Sequence, residues 1–577
     1  MSEVKVQTEQ VNDIPLLIKQ QEKMGIAEIL DQIVPQHGNR KGLSLGQMIV
    51  GWLSYILSES DHRLSFVEEW AARQSNSLNC LLPGYSGSQD FTDDRLGDGL
   101  RVLSDDTVWE ALESQLGKRL IRIYQLPTKV GRVDTTTVSL YHQADGSAIV
   151  AEGFSKDHRP DLAQLKVLLL ALDPLAIPMV TIVVSGNRAD DGLYLPAIEA
   201  ARQTLPSTGM LYVGDSKMEA LATRAGIVQS GNYYLVPLSQ KGEQSELLTT
   251  RVAAVLDQKE MDLVSVYQLS STNDNEPKLI AQGQETIREQ SYFNGDELCQ
   301  WSERLMLVYS PTLAQSGYRG LEKRLQKAAA KLLALTPEPG RGKKQFSELA
   351  PLQQAVEAIQ KRYKVTGLLD VTFEKQVTER HIRAYRDRPA RTEQIVRFQL
   401  RVARREEAIT EAFRQFGWRL YATNAPEELL SLPDAVRVYR GGVPTIEHDF
   451  SRLKGRPLGL RPAFVHRDDH LKGLVRLLSL ALRILTLTEF VVHRSLKEND
   501  ETLTGLYPGN PTKATNKPTT ERLLRAFKGI TLSIIDLSGQ HIQHVSPLSP
   551  LQRRILQLLR FDDSIYSELA DLQPIPI

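Results

Sequence analysis

Apolar positions recur with two different periods along this chain, and the points where the period changes divide it. From residue 13 to 60 the spacing is helical: Ile14, Leu17 and Ile18, then Ile26, Ile29 and Leu30, fall on one side of amphipathic helices. GLSLGQMIVGWLSYILSES adds a helix apolar enough to be deeply buried, and SFVEEWAARQ at 65–74 predicts another. After the punctuating proline and glycines of PGYSGSQDFTDD, DTVWEALESQLGKRLIRIY resumes the helical period. Residues 1–120 are therefore expected to form an all-helical N-terminal domain, of a size suited to DNA end binding or assembly. A plain helical bundle predicts the same pattern, and no clean helix-turn-helix stands out.

At Lys129 the period drops to two. KVGRVDTTTVSLYHQ predicts a strand carrying Asp134, and IPMVTIVVSGN predicts a further strand ending in a Gly-Asn turn. DGLYLPAIEAARQTL reads as a helix. GMLYVGDSKMEALATRAGI reads as a buried strand running into Asp215 and then a helix, and GNYYLVPLS as another short strand. Strands separated by helical crossovers predict an α/β layer with a partly parallel sheet over 125–238. Residues 239–424 predict a large β-rich insertion with a basic helical arm, YRGLEKRLQKAAAKLLAL, before GWRLYATN at 417–424 leads back to the core. Residues 425–500 supply the rest of the core, with a helix at 434–454 broken at Gly441, Gly442 and Pro444 and an apolar helix at 470–496. Residues 501–577 form a C-terminal tail with short helices behind the linker GLYPGNPTKATNKPTT. No repeat is evident, which argues against a solenoid.

Composition narrows the classes. Two cysteines, Cys80 and Cys299, leave no room for a disulfide framework or a Cys-rich zinc module, and fit a reducing compartment. The opening MSEVKVQTEQVND is polar and acidic and does not read as a signal peptide. LVRLLSLALRILTLTEFVV at 474–492 is interrupted by Arg476 and Arg483, seven apart on one face, which predicts an amphipathic packed helix rather than a membrane span. Net charge is zero, yet 311–364 holds 11 Lys plus Arg against 4 Glu, and 437–483 holds 10 against 4 acids. Those local excesses keep a polyanion partner open.

The chemistry centres on three carboxylates. Asp134 is placed within the first α/β strand, Asp215 at the carboxyl end of a later one, where open α/β sheets bind ligands, and Glu447 on a following helix. Glu447, Phe450 and Lys454 share a helical face, with Tyr439 and Arg440 upstream. Hard, anionic ligands suit Mg²⁺, and paired ions of this kind drive in-line phosphoryl displacement. Each residue also has a structural reading: Asp134 as an edge-strand acid, Asp215 as an N-cap, Glu447 on a salt-bridged surface helix. GSAIVAEGFSKDHRPD at 146–161 and SGNRAD at 185–190 are either site rims or solvated loops. Other chemistries lack their signatures: no Walker loop, no Rossmann fingerprint after a strand and no HExxH is present.

The segments RVDTTTVSLY, GFSKDHRPDLAQLKVLLLAL, VSGNRADD, LYVGDSKM and YRGGVPTIEHDFSRLKGRPLGLRPAFVHRDDHLKGLVRLLSLAL carry a resemblance over nearly the whole chain. It resembles bacterial insertion-sequence transposases with a DDE catalytic domain, in the IS1634-like branch of the IS4 group. The resemblance implies a ribonuclease H-like mixed-sheet core interrupted by the β-rich insertion, with Asp134, Asp215 and Glu447 as catalytic, metal-binding acids. It implies Mg²⁺, with Mn²⁺ as a substitute, and DNA contacts from Tyr439, Arg440 and Lys454. Here the sequence departs from the family helix pattern Y-x2-R-x3-E-x6-K: the Tyr-to-Glu spacing is one residue longer, and Gly442 stands where Arg is expected. The implied partners are double-stranded DNA, as terminal inverted repeats and target, and a second copy in a synaptic homodimer, in the bacterial cytoplasm and away from membranes. Two competitors remain: a nuclease without strand transfer, and a transposase-derived DNA-binding protein.

Overall fold

The computed structural model describes the chain except residues 1–3, 36–37, 39–40, 142–144, 158, 175, 258–261, 269–276, 341–342, 344, 385–388, 538–539 and 571–577. His158 of SKDHRPD, part of the PEPGRGKKQ turn and the end of the tail thus lie outside it. The first element is a strand, β1 (Val4–Gln10), so the N-terminal region is helical but not purely so. Helices from Ile14–Met24 to Asp106–Tyr124 follow. Among them Leu45–Glu59 is capped by Ser44, whose hydroxyl accepts from the Gln47 N–H, and is buried nearly all round, as its apolar run predicts.

The core sheet is built from β2 (Val130–Ser139), β3 (Gln164–Leu172), β4 (Ile177–Ser185), β5 (Leu211–Gly214) and β6 (Tyr233–Pro237). β3 is antiparallel to β2 and β4, whereas β5 runs parallel to β2 and β6 parallel to β5. Every residue of β3 is buried, which its unbroken QLKVLLLAL run reflects: a strand covered on both faces has no need of alternation.

The insertion does not stand apart from this sheet. Its strands β7 (Val264–Tyr267), β8 (Leu279–Asn294) and β9 (Glu297–Tyr309) continue the hydrogen-bonded ladder, which has nine strands among the described residues. A ribbon of β10 (Leu369–Ile382) and β11 (Arg391–Arg404) packs instead with the helices Pro311–Leu333 and Leu349–Tyr363 around a separate apolar cluster. The returning strand β12 (Trp418–Thr423) then bridges β6 to β9, antiparallel to both. The result is a mixed α/β core with a large β-rich insertion and an N-terminal helical region.

Two expectations about the later helices need correction. Helix Leu432–Lys454 runs unbroken through Gly441, Gly442 and Pro444. Packing on both sides of that segment fixes it: Tyr439 meets Tyr421 edge-on at 5.0 Å, the Arg132 guanidinium donates to the Val438 carbonyl at 2.7 Å, and Ile446, Phe450 and Leu453 are buried. Those contacts outweigh a proline penalty of roughly 3 kcal/mol. In helix Asp468–Glu498, Arg476 and Arg483 do not face solvent but are buried. Arg476 donates to the carbonyls of Leu103 and Ser104 at 2.9 and 2.8 Å, closing the end of helix Asp93–Ser104, while Arg483 pairs with buried Glu113. The crossing of these two helices is close enough that a Cβ on Gly473 would lie 2.0 Å from the Leu100 carbonyl oxygen. Among the described residues no helix is long and apolar enough to cross a membrane.

The tail is more than short helices. β13 (Thr531–Leu537) pairs antiparallel with both β1 and β14 (Gln540–Val545). Helix Pro550–Leu559 follows, opened by a capping box at Ser549 and Gln552.

Candidate active site

Parallel pairing of β2 with β5 aligns Val133 with Gly214. Asp134 comes next within β2 and Asp215 just past the end of β5, so the two aspartates sit side by side, with strands roughly 5 Å apart. The helix Leu432–Lys454 packs against β2 here, held by the Arg132 bond to Val438. Asp134, Asp215 and Glu447 consequently line one cavity of about 550 Å³, together with Tyr439, Lys454 and Lys156. Three acids separated by more than 300 positions in the sequence are gathered by strand register and one helix crossing.

Each acid is held differently. Asp134 accepts from the Thr135 N–H at 2.7 Å. Burial, reinforced by the charges of Asp215 and Asp190 and opposed by Lys156, pushes its carboxyl up to about 6. Asp215 does cap a short turn, Ser216–Glu219, by accepting from the Lys217 N–H at 2.9 Å, and the same oxygen accepts from the Tyr194 hydroxyl at 2.7 Å. The capping role and the cavity position therefore coexist. Burial and the Asp215 charge raise the Tyr194 phenol far above its usual range, keeping it a donor. Glu447 is exposed on its helix.

The SKDHRPD segment closes the rim. Lys156 donates to the Thr135 carbonyl and hydroxyl, both at 2.7 Å, and its backbone N–H donates to the Thr137 hydroxyl at 2.9 Å. Asp157 receives Lys454 at 2.8 Å and Arg461 at 3.1 Å. Burial works against that carboxylate, but the two cations outweigh it and hold Asp157 below the usual range. In SGNRAD, Asp190 pairs with buried Lys166 at 2.5 Å. Both segments, open in the sequence between rim and solvated loop, thus sit against β2 and β3 beside the acids.

Arg440 parts company with the others. Its guanidinium donates to the Ile280 carbonyl at 2.7 Å and lines a neighbouring cavity of about 700 Å³, which Tyr439 also borders. Tyr194, Lys156 and Arg132 were missed by sequence reasoning. Tyr194 could have been suspected as a phenol opening an apolar helix, and Lys156 from its place in SKDHRPD.

No family model matches the chain, and no curated protein matches it. Among solved structures it is similar to a cryo-EM structure of the piggyBac transposase synaptic complex with hairpin DNA. The identity is 9% and the TM-score 0.24, over 85% of this chain and 84% of that one. A likeness that slight carries no argument about fold or activity.

Whether the site suits a metal turns on its own residues. Among the described residues no group of three or more His, Cys, Asp or Glu forms a ready metal site. Two of the acids do fit a cation: adjacent carboxylates, one held protonated to about 6 partly by the charge of the other, are the arrangement that a divalent ion relieves.

Proposed function

We propose that this chain is a DNA-processing protein of the transposase type, acting on a phosphodiester held in the cavity between β2, β5 and helix Leu432–Lys454. The observation that carries the reading is the meeting of Asp134, Asp215 and Glu447 in one cavity beside Lys156 and Lys454. Five core strands in the order third, second, first, fourth, fifth, with only the second reversed, support the ribonuclease H-like expectation.

In this reading Asp134 and Asp215 hold Mg²⁺ or Mn²⁺, with Glu447 completing the set from the facing helix. A bound divalent ion would stabilise charge on the phosphoryl oxygens and acidify an attacking water or hydroxyl. Tyr194 orients the Asp215 carboxylate, the Thr135 N–H orients that of Asp134, and Lys156 offers a cation to a phosphate at the cavity wall. The finer proposal is cleavage at the terminal inverted repeats of an insertion sequence and joining of the freed 3′-hydroxyls to target DNA, within a homodimer.

A second reading, a transposase-derived DNA-binding protein or a nuclease without strand transfer, is favoured by two observations. No three-acid metal cluster is formed among the described residues, and Lys454 is already paired with Asp157. One experiment separates them. Labelled DNA carrying candidate ends is incubated with protein and Mg²⁺ or Mn²⁺, and nicks and joined products are scored. Cleavage with joining, abolished by Asp134→Asn, Asp215→Asn or Glu447→Gln and by EDTA, supports the transposase; cleavage without joining leaves a nuclease. Binding with no cleavage under either ion leaves the DNA-binding reading, and activity surviving EDTA ends the metal proposal.

A further inference from the structure

The helix Pro311–Leu333 buries Ala314 near its start, and Leu321, Leu325, Ala328 and Leu332, which form one stripe against the insertion's apolar cluster. Its other side carries Arg319, Lys323, Lys327 and Lys331, all exposed and each four positions from the last. At 1.5 Å per residue the row is about 18 Å long, with a cation roughly every 6 Å. Positions around that row are Ser316, Gly320, Gln326 and Ala330, with no acid. Glu322 lies on the flank and is taken by Arg404 at 2.7 Å.

Among the described residues none of these four cations has an ion-pair partner, whereas several arginines elsewhere in the insertion do. Arg391, Arg401, Arg404, Arg405 and Arg414 all pair with a carboxylate. The helix also starts at the cavity that neighbours the acid cavity and shares Tyr439 with it. Thr312, Leu313 and Ser316 of its first turns line the second cavity with Tyr439 and Arg440, so the row leads away from the acid-bearing helix.

We infer that this row is a docking track for the phosphate backbone of double-stranded DNA, which extends the grip on a duplex beyond the cavity. The inference rests on the DNA reading above. Evenly spaced, unanswered cations on a straight helix suit a regular polyanion, and they bind by releasing its counterions, with no requirement for sequence. An anionic membrane is the poorer fit, because the row lacks the aromatic and leucine side chains that anchor a helix in lipid.

The test uses the full chain in EDTA, so that the acid cavity contributes no metal-dependent binding. Affinity for a duplex of arbitrary sequence is measured by fluorescence anisotropy across a salt series. The comparison is between wild type, the variant Arg319→Gln/Lys323→Gln/Lys327→Gln/Lys331→Gln, and a control altering two paired cations, Arg391→Gln/Arg401→Gln. Circular dichroism melting confirms that each is folded. The track predicts that the fourfold variant lowers the slope of log affinity against log salt by about 3 to 4, near 0.9 for each lost phosphate contact, while the control moves it by less than about 1. Wild type that binds duplex with a slope the fourfold variant leaves unchanged overturns the track and spares the DNA reading. Wild type that binds no duplex overturns both. Loss of binding to phosphatidylserine vesicles with duplex binding intact reassigns the row to a membrane and likewise overturns the inference.

Discussion

Two helices that follow each other in the chain treat their charges in opposite ways. In Asp468–Glu498, buried Arg476 and Arg483 are answered at contact: Arg476 by Asp106 and the Leu103 and Ser104 carbonyls, Arg483 by Glu113 and the Pro178 carbonyl. On Leu432–Lys454, Glu447 is left facing a cavity shared with Asp134 and Asp215, whose carboxyls crowd each other. The first arrangement spends charge on holding three elements together. The second keeps charge in reserve. Ion pairs alone would not distinguish the two, since Lys454 and Asp157 also pair at the cavity rim. What separates them is whether removing the charge costs or gains stability.

Glu113→Gln attacks the first kind. It leaves the buried Arg483 guanidinium short of its countercharge, and the expected loss is about 3–5 kcal/mol, read as a fall in the denaturant midpoint. A loss below about 1 kcal/mol would erase the contrast.

Asp134→Asn probes the second and should move stability the other way. Because the folded carboxyl is raised to about 6 from 3.8, the folded state binds more protons across that window. Stability therefore falls as pH rises from about 4 to 6, and the penalty is complete above 6. In metal-free buffer near pH 7.5 the Asn variant should be more stable than wild type, by on the order of 1 kcal/mol after allowance for partial exposure. The gap should close near pH 4. Melting temperatures across pH measure it, and a variant less stable than wild type at neutral pH would class Asp134 with the structural acids.

Lys454→Ala should have the smallest effect on the fold. Asp157 keeps Arg461, so the change in stability is expected below about 1 kcal/mol. If Lys454 can leave Asp157 for a phosphate, the salt dependence of DNA binding should fall by about one unit of slope. An unchanged slope would confine Lys454 to the rim.

What the sequence disclosed follows from how local each feature is. Asp134 on its strand and Asp215 after its own were legible because period-two text and a buried run ending in Gly-Asp are short-range signals. The shared face of Glu447, Phe450 and Lys454 was legible from helical spacing, and all three line the cavity. The unbroken helix through Pro444 was not, because packing of Tyr439 and Phe450 on either side overrides a local breaker. Tyr439 and Arg440 are adjacent in sequence yet differ in role, since one residue turns a helix by about 100° and only Tyr439 reaches the acid cavity. Burial of Arg483 was hidden because its partner, Glu113, belongs to a helix read as part of another domain.

The ladder between β1 and β13 imposes an order on biosynthesis. Gln10 pairs with Thr531, so the earlier strand waits while about 520 further residues are made before its mate emerges. In that interval its backbone amides are open to any stray strand, including the same segment of a sister nascent chain on the polysome. A message truncated before the codon for Thr531 would yield a product in which β1 never finds its mate.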